Sequence, residues 1–171
     1  MNELAVTAVG ADRPGIVAAV TRVLTDRGGN LEDSAMTILG GHFAIMLLVA
    51  TDDDPESLRT ALAEETAEFA LTLSVSPAVG GRTQTVPTHL LSVYGADRPG
   101  IVAGVSEAVA AVGANVCDLE TQVIGAENDP VYAMVMELAA VDAEALTSQL
   151  NDICGQLGVD HTLRTIEAET Y

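Results

Sequence analysis

Gly10-Ala11-Asp12-Arg13-Pro14-Gly15-Ile16-Val17-Ala18 recurs residue for residue as Gly95-Ala96-Asp97-Arg98-Pro99-Gly100-Ile101-Val102-Ala103, 85 positions further along. The likeness continues through Gly28 and Asn30 into Gly113 and Asn115. A period of this length in a chain of 171 residues implies two copies of one structural unit. Units this small bury only about 60–65% of the surface that their unfolded chains expose, so a homo-oligomer is expected to supplement each core.

Working outward from the first copy, the apolar run Leu4 to Val9 reads as a buried strand that stops at Gly10. Asp12 to Gly15 then opens a helix, with Pro14 expected in the first helical turn, where a fixed φ and a missing N–H cost nothing. Ile16, Val20, Leu24 and Arg27 follow at helical spacing, with Val17 and Val23 beside them, and Gly28 is placed to close the helix in the left-handed conformation. Asn30 to Leu39 and His42 to Ala50 read as strands joined by a tight Gly40-Gly41 turn. Asp52-Asp53-Asp54-Pro55 starts a second helix that runs to about Phe69, and Leu71 to Val75 alternates as a half-exposed strand.

Residues 78–87 read as a linker between a first domain, 1–77, and a second, 88–171. The second copy repeats the order: strand His89 to Tyr94, helix Pro99 to Val112, strands Asn115 to Ile124 and Val131 to Ala139, helix Ala143 to Leu157, strand Val159 to Ile166. Its central hairpin, Gly125 to Pro130, is about four residues longer than Gly40-Gly41 and carries an acidic tip. The order βαββαβ predicts an α+β fold: two ferredoxin-like units, each an antiparallel four-stranded sheet with both helices on one face. Covering the other face, or extending the sheets edge to edge, would create seams suited to small ligands.

Seven basic residues against 25 acidic ones give a net charge of −18, which argues against direct nucleic-acid or anionic-membrane binding. Aromatic residues are only 3% of the chain, too few for the stacking platforms that single-stranded nucleic acid requires. Cys117 and Cys154 lack CxxC spacing and are expected to be reduced, buried thiols. With no secretory leader before Leu4 and no apolar run of roughly 18 residues, a cytoplasmic location is expected.

The loop and helix start offer backbone N–H groups and the positive end of a helix dipole, which suit a carboxylate. A partner ammonium group would be met by oxygens of Asp12 or Asp97 and of Asn30 or Asn115. GADRPGIVA before a helix, followed by GGN or GAN and a strand, resembles the ACT domain, a regulatory amino-acid-binding module, over nearly the whole chain. Two copies without an enzyme domain are most similar to the glycine cleavage system transcriptional repressor family. That resemblance implies self-association and amino-acid sensing, glycine or serine being possible ligands, through a transcription-factor or enzyme partner. It places ligand contacts on Asp12, Arg13, Pro14 and Gly15, on Asp97, Arg98, Pro99 and Gly100, and on Asn30 with Leu31 and Asn115 with Val116 at the following strands. The motif also recurs in the amino-terminal module of formyltetrahydrofolate deformylases. This chain departs from many ACT loops in carrying Asp12 and Asp97 where they carry Asn.

Plainer readings stand beside these. Asp12 and Asp97 are also suited to capping helices, Asn30 and Asn115 to simple turns, and Arg13 and Arg98 to solvated surface positions or a carboxylate clamp. Asp52 to Asp54 reads as a charged helix start before a cation site, and His42, His89 and His161 are too scattered for a metal centre. No nucleophile, base and orienting group assemble in the sequence, so neither catalysis nor a cofactor is expected. A ligand-free interaction scaffold is the alternative to a sensor.

Overall fold

The computed structural model describes residues 2–79, 85–125, 130–140 and 142–166. The chain divides into two compact units, one up to residue 81 and one from residue 82. Residues 80–84 of the expected linker and 126–129 of the expected hairpin tip lie outside the described residues.

The first unit runs β1 (Asn2–Ala11), α1 (Ile16–Asp26), β2 (Asn30–Leu39), β3 (His42–Thr51), α2 (Pro55–Glu65), a 3-10 turn (Ala67–Phe69) and β4 (Thr72–Pro77). The second runs β5 (His89–Ala96), α3 (Ile101–Ala111), β6 (Asn115–Ile124), β7 (Val131–Ala139), α4 (Ala143–Leu157) and β8 (Val159–Thr165). Each makes one antiparallel four-stranded sheet, ordered β2-β3-β1-β4 in the first unit and β6-β7-β5-β8 in the second. The α+β, ferredoxin-like expectation is met in both copies.

Strand alternation decides which residues make the core. Leu4, Val6 and Ala8 of β1 and Phe43, Ile45, Leu47 and Val49 of β3 are buried against Ile16, Val20, Leu24, Leu58 and Leu62 of the helices. The second unit repeats this with Leu91, Val93, Met134, Met136 and Leu138 against Ile101, Val105, Leu146 and Leu150. Both helices therefore cover one face. The edge strand escapes that cover: every residue of β2 is exposed, including Met36 and Ile38, which share the helix side with buried Ile45 and Phe43. Val17, expected beside the buried stripe of α1, is 40% exposed, because at helical spacing it turns away from the sheet.

The invariant glycines of the repeat have steric reasons. A Cβ on Gly10 would stand 2.7 Å from Leu71 Cδ2, and one on Gly95 would stand 2.7 Å from Val159 Cγ1. The first helix of each unit ends in the same two-bond motif. Gly28 N–H donates to Thr25 O and Gly29 N–H to Leu24 O, while Gly113 N–H donates to Ala110 O and Ala114 N–H to Val109 O. Gly28 and Gly113 adopt φ of 72° and 70° there, as the left-handed closure requires.

Three expectations need correction. Pro14 does not enter the helix: α1 begins at Ile16 after Gly15 at φ 98°, and α3 begins at Ile101 after Gly100 at φ 94°, so each proline sits in the preceding turn. A left-handed residue between proline and helix accounts for the displacement. Cys154 is buried, and burial pushes its thiol pKa up, but Cys117 is only half-buried. It occupies the bulge of β6 between Val116 and Asp118, at the open edge of the sheet. Arg27 leaves the helical stripe altogether and becomes the last cap residue of α1. Among the described residues, no helix is long and apolar enough to cross a membrane.

Candidate functional site

The loop after β1 is held by its backbone. Asp12 N–H donates to Gly41 O at 2.9 Å, tying the loop to the β2–β3 hairpin, and Gly15 O accepts the first helical bond from Ala19 N–H at 2.9 Å. Gly100 O accepts equivalently from Gly104 N–H. Among the described residues, no side-chain hydrogen bond caps the start of α1 or α3, so Asp12 and Asp97 do not serve as helix caps. The second helices differ. Asp54 accepts from Glu56 N–H at 3.1 Å and Ser57 N–H at 3.0 Å, and Asp142 accepts from Ala145 N–H at 2.9 Å. The helix starts after the two DRPG sequences thus keep first-turn N–H groups without a side-chain acceptor, in a field that favours an anion.

Arg13 and Arg98 turn away from this role. Arg13 Nη1 donates to Glu68 O at 3.2 Å, at the end of the 3-10 turn. Arg98 lies over the end of α4, where a methyl group on Gly158 would come within 3.3 Å of Nη1. In both units the guanidinium meets the carbonyl-rich end of the second helical segment, a favourable place for a cation.

Asn30 and Asn115, with Leu31 and Val116, are not brought to the loop of their own unit. Ala11, at the loop end of β1, pairs with His42, whereas Asn30 pairs with Ala50. Those partners are eight residues apart on β3, a separation of about 26 Å at the usual strand rise. In the second unit Ala96 pairs with Val131 and Asn115 with Ala139, the same arrangement. The helix between loop and strand spans the sheet, so nearness in the motif becomes opposite ends in the fold.

The acidic run at the start of α2 is committed to structure. Asp54 caps the helix, and Asp53 is gripped by Arg27 through Nε and, at 2.9 Å, through Nη2, which also reaches Ser57 Oγ at 2.6 Å. The hydrogen bonds from Arg27 hold the Asp53 carboxyl below its usual range. Among the described residues, no group of His, Cys, Asp or Glu is placed to hold a metal ion. Shallow depressions lie beside Arg27 and Asp53, between α3 and α4, and along the start of α4, away from both DRPG loops.

One residue near the second loop escapes sequence reasoning. Tyr132, 9% exposed, buries its hydroxyl beside the Thr121 side chain. Burial pushes its phenol pKa up, the nearby Thr121 hydroxyl offsets part of that rise, and the charge of Asp97 adds to it. Its only sequence signal is that the equivalent strand position in the first copy, opposite Gly10 instead of Gly95, is Phe43.

With this geometry in place, the relatives are informative. The ACT domain family matches residues 2–76 and 88–163. The glycine cleavage system transcriptional repressor of Escherichia coli (strain K12) is 26% identical over 170 residues, covering 95% of this chain and 90% of that protein. A UPF0237 protein of Streptococcus pneumoniae serotype 4 is 36% identical over 70 residues, 41% of this chain and 77% of its own length. Among solved structures, an unknown protein from Galdieria sulphuraria superimposes with a TM-score of 0.84 at 27% identity, covering 97% of this chain and 99% of that one.

Proposed function

This chain belongs to the ACT domain family, and from that premise we propose that it is a non-catalytic regulatory protein that binds a small amino acid and acts through a protein partner. Its two modules are residues 1–77 and 88–171, joined by 78–87. The observation that carries this reading is the contrast between helix starts: α2 and α4 are capped by Asp54 and Asp142, while α1 and α3 are left without a side-chain acceptor. Such a helix start suits a ligand carboxylate, and Asp12 or Asp97 in the same loop offers a charge for its ammonium group. Arg13, Pro14 and Gly15, like Arg98, Pro99 and Gly100, shape that loop. Asn30, Leu31, Asn115 and Val116 join such a site only when another ACT module supplies them.

Similarity along nearly the full length to a glycine cleavage system transcriptional repressor supports glycine or serine as ligand and control of glycine or one-carbon metabolism as the output. The partner is then a transcription factor or an enzyme. Binding shifts the protein between states by no more than its difference in affinity for them. Exposed Met36, Ile38, Leu39 and Met46 in the first unit support self-association, and they are also what a ligand-free scaffold would use.

A calorimetric and thermal-shift screen of the twenty amino acids on the full chain separates the two readings. Binding of glycine or serine at millimolar or lower concentration is expected, with affinity falling when Asp12→Ala and Asp97→Ala are combined. Silence across all twenty would leave the scaffold, and undiminished binding by the double variant would move the site elsewhere.

A further inference from the structure

The two sheets differ on the face that their helices leave open. A sheet face washed by solvent shows polar side chains in alternation, whereas a strand covered on both faces reads as a continuous apolar run. Central strand β3 reads that way: Phe43, Ile45, Leu47 and Val49 point to the helices, and Ala44, Met46 and Leu48 between them point to the open side. Register extends the pattern across the sheet. One row runs Ala35, Met46, Thr7, Ser74 and the next Thr37, Ala44, Val9, Thr72, with no charge in either. The corresponding rows of the second sheet carry Glu120 and Asp160. The row beside them carries Asp118, Glu137 and Arg164, where the first sheet has only Asp33.

The charge-free face is also shaped for contact. Met46 is 55% and Val9 47% exposed, and beside Met46 lies a shallow apolar depression bounded by Asp33, Ser34, Ala35 and Leu48. A protruding side chain and a hollow on one patch make it self-complementary, as a two-fold interface requires. Three strands of ten residues and one of six form this face. At the usual strand rise and spacing they cover about 600 Å², so two copies face to face bury about 1,200 Å², above the ~1,000 Å² that a specific interface needs. With 25 acidic residues against seven basic ones, copies of the chain repel each other, and the middle of this face is where they meet without opposing carboxylates.

Resting on the self-association within the reading above, we infer that two copies of this chain pack through the open faces of their first sheets. Met46 of each copy fills the depression beside Ala35 of the other, and the small side chains around it let the sheets approach to the usual ~10 Å. The charged open face of the second sheet stays outside this contact.

The test is sedimentation equilibrium of the full chain across a dilution series, read for mass and for the dissociation constant. Twice the mass of one chain is expected at micromolar concentration. The dimer is expected to tighten as potassium chloride rises from about 0.05 to about 0.5 M, because salt screens the repulsion between acidic copies and leaves apolar contact intact. Met46→Glu and Val9→Glu are each expected to weaken it at least about tenfold, equivalent to about 1.4 kcal/mol. Both positions are exposed, and two of them keep the test alive if circular dichroism shows one variant misfolded. Tyr94→Glu, at the place of Val9 in the second sheet, and Met36→Glu, on the helix side of β2, are expected to leave the dimer intact. A dimer insensitive to both first-face variants, or one lost only with Tyr94→Glu or Met36→Glu, would overturn the inference and leave self-association standing. A dimer that loosens as salt rises would also overturn it, since ion pairs would then hold the copies together. A chain that stays monomeric at every concentration and salt would overturn self-association and this inference together, while amino-acid binding is read separately by calorimetry.

Discussion

In the first unit the residue that closes α1 is Arg27, which reaches across to Asp53 and Ser57 at the start of α2; in the second the residue that closes α3 is Val112, packed against the core. After the second helical segment, the first unit turns its chain with Ala70 at φ 51° and the second with Gly158 at φ 66°. Under the loop, the first has Phe43 and the second Tyr132. What stays the same is steric: Gly10 and Gly95 against the neighbouring strand, Gly15 and Gly100 before the helix, Gly28 and Gly113 after it. What differs is polar. The comparison teaches that the common scaffold is held by positions where a side chain does not fit, while positions free of that constraint have diverged toward an ion pair in one unit and a buried phenol in the other.

The comparison breaks most readily at the shared glycines. Gly95→Ala is expected to destabilise the second unit by about 1–3 kcal/mol, the usual cost of overpacking, since its Cβ would meet Val159 at both Cγ1 and, at 3.2 Å, the backbone Cα. Gly10→Ala is expected to cost less, because the first atom met is the far end of Leu71 and the nearest backbone atom is 3.6 Å away. Urea melts of the two variants rank them, and equal losses would refute the steric account.

Ala70→Gly sharpens the comparison from the other side, by giving the first unit the residue that the second already has. Relief of the left-handed strain exceeds the added freedom of the unfolded chain, so a gain of about 0.5–1 kcal/mol is expected. A midpoint shifted upward in a denaturant series is the predicted result, and a downward shift would show that Ala70 bears no strain.

The smallest effect is expected from Asp53→Asn. Arg27 holds the folded-state pKa of Asp53 below its unfolded value. The contribution is therefore complete above the ordinary carboxylate range and disappears as pH falls through the folded-state pKa. Because the pair lies at the surface, with the Arg27 side chain about one-third exposed, solvent screens it and the stability lost at neutral pH is modest. Thermal melts of the chain and the variant are expected to converge as the solution is acidified, and a gap independent of pH would assign the loss to packing.

Much of the fold was legible in residue order. Two copies, their βαββαβ order, the bounds of α4 at Ala143 and Leu157 and of β6 at Asn115 and Ile124 all follow from periodicity and turn residues. The Asp54 cap was readable because an acid before proline at a helix start has a short, local explanation. The same reasoning fails at Asp12, where the intervening Gly15 takes the cap position and separates the carboxylate from the helix. Pro14 misleads similarly, since its fixed φ suits the turn before a helix as well as the first helical turn. Asn30 is a different kind of failure. It lies close to the motif in sequence, but α1 carries the chain to the far end of the sheet before β2 starts.

The sequence by itself determined the duplication, the element order, the glycine turns and the family, because each of these rests on spacing and on backbone conformations that few residues adopt. Only the tertiary structure decided which candidates meet. Strand register put Asn30 and Asn115 at the opposite end from the loops and set Tyr132 opposite Gly95 at the loop end of its sheet, while packing turned Arg13 and Arg98 to the ends of the second helical segments. Those meetings depend on antiparallel pairing between distant segments, and no local pattern along the chain encodes their distance.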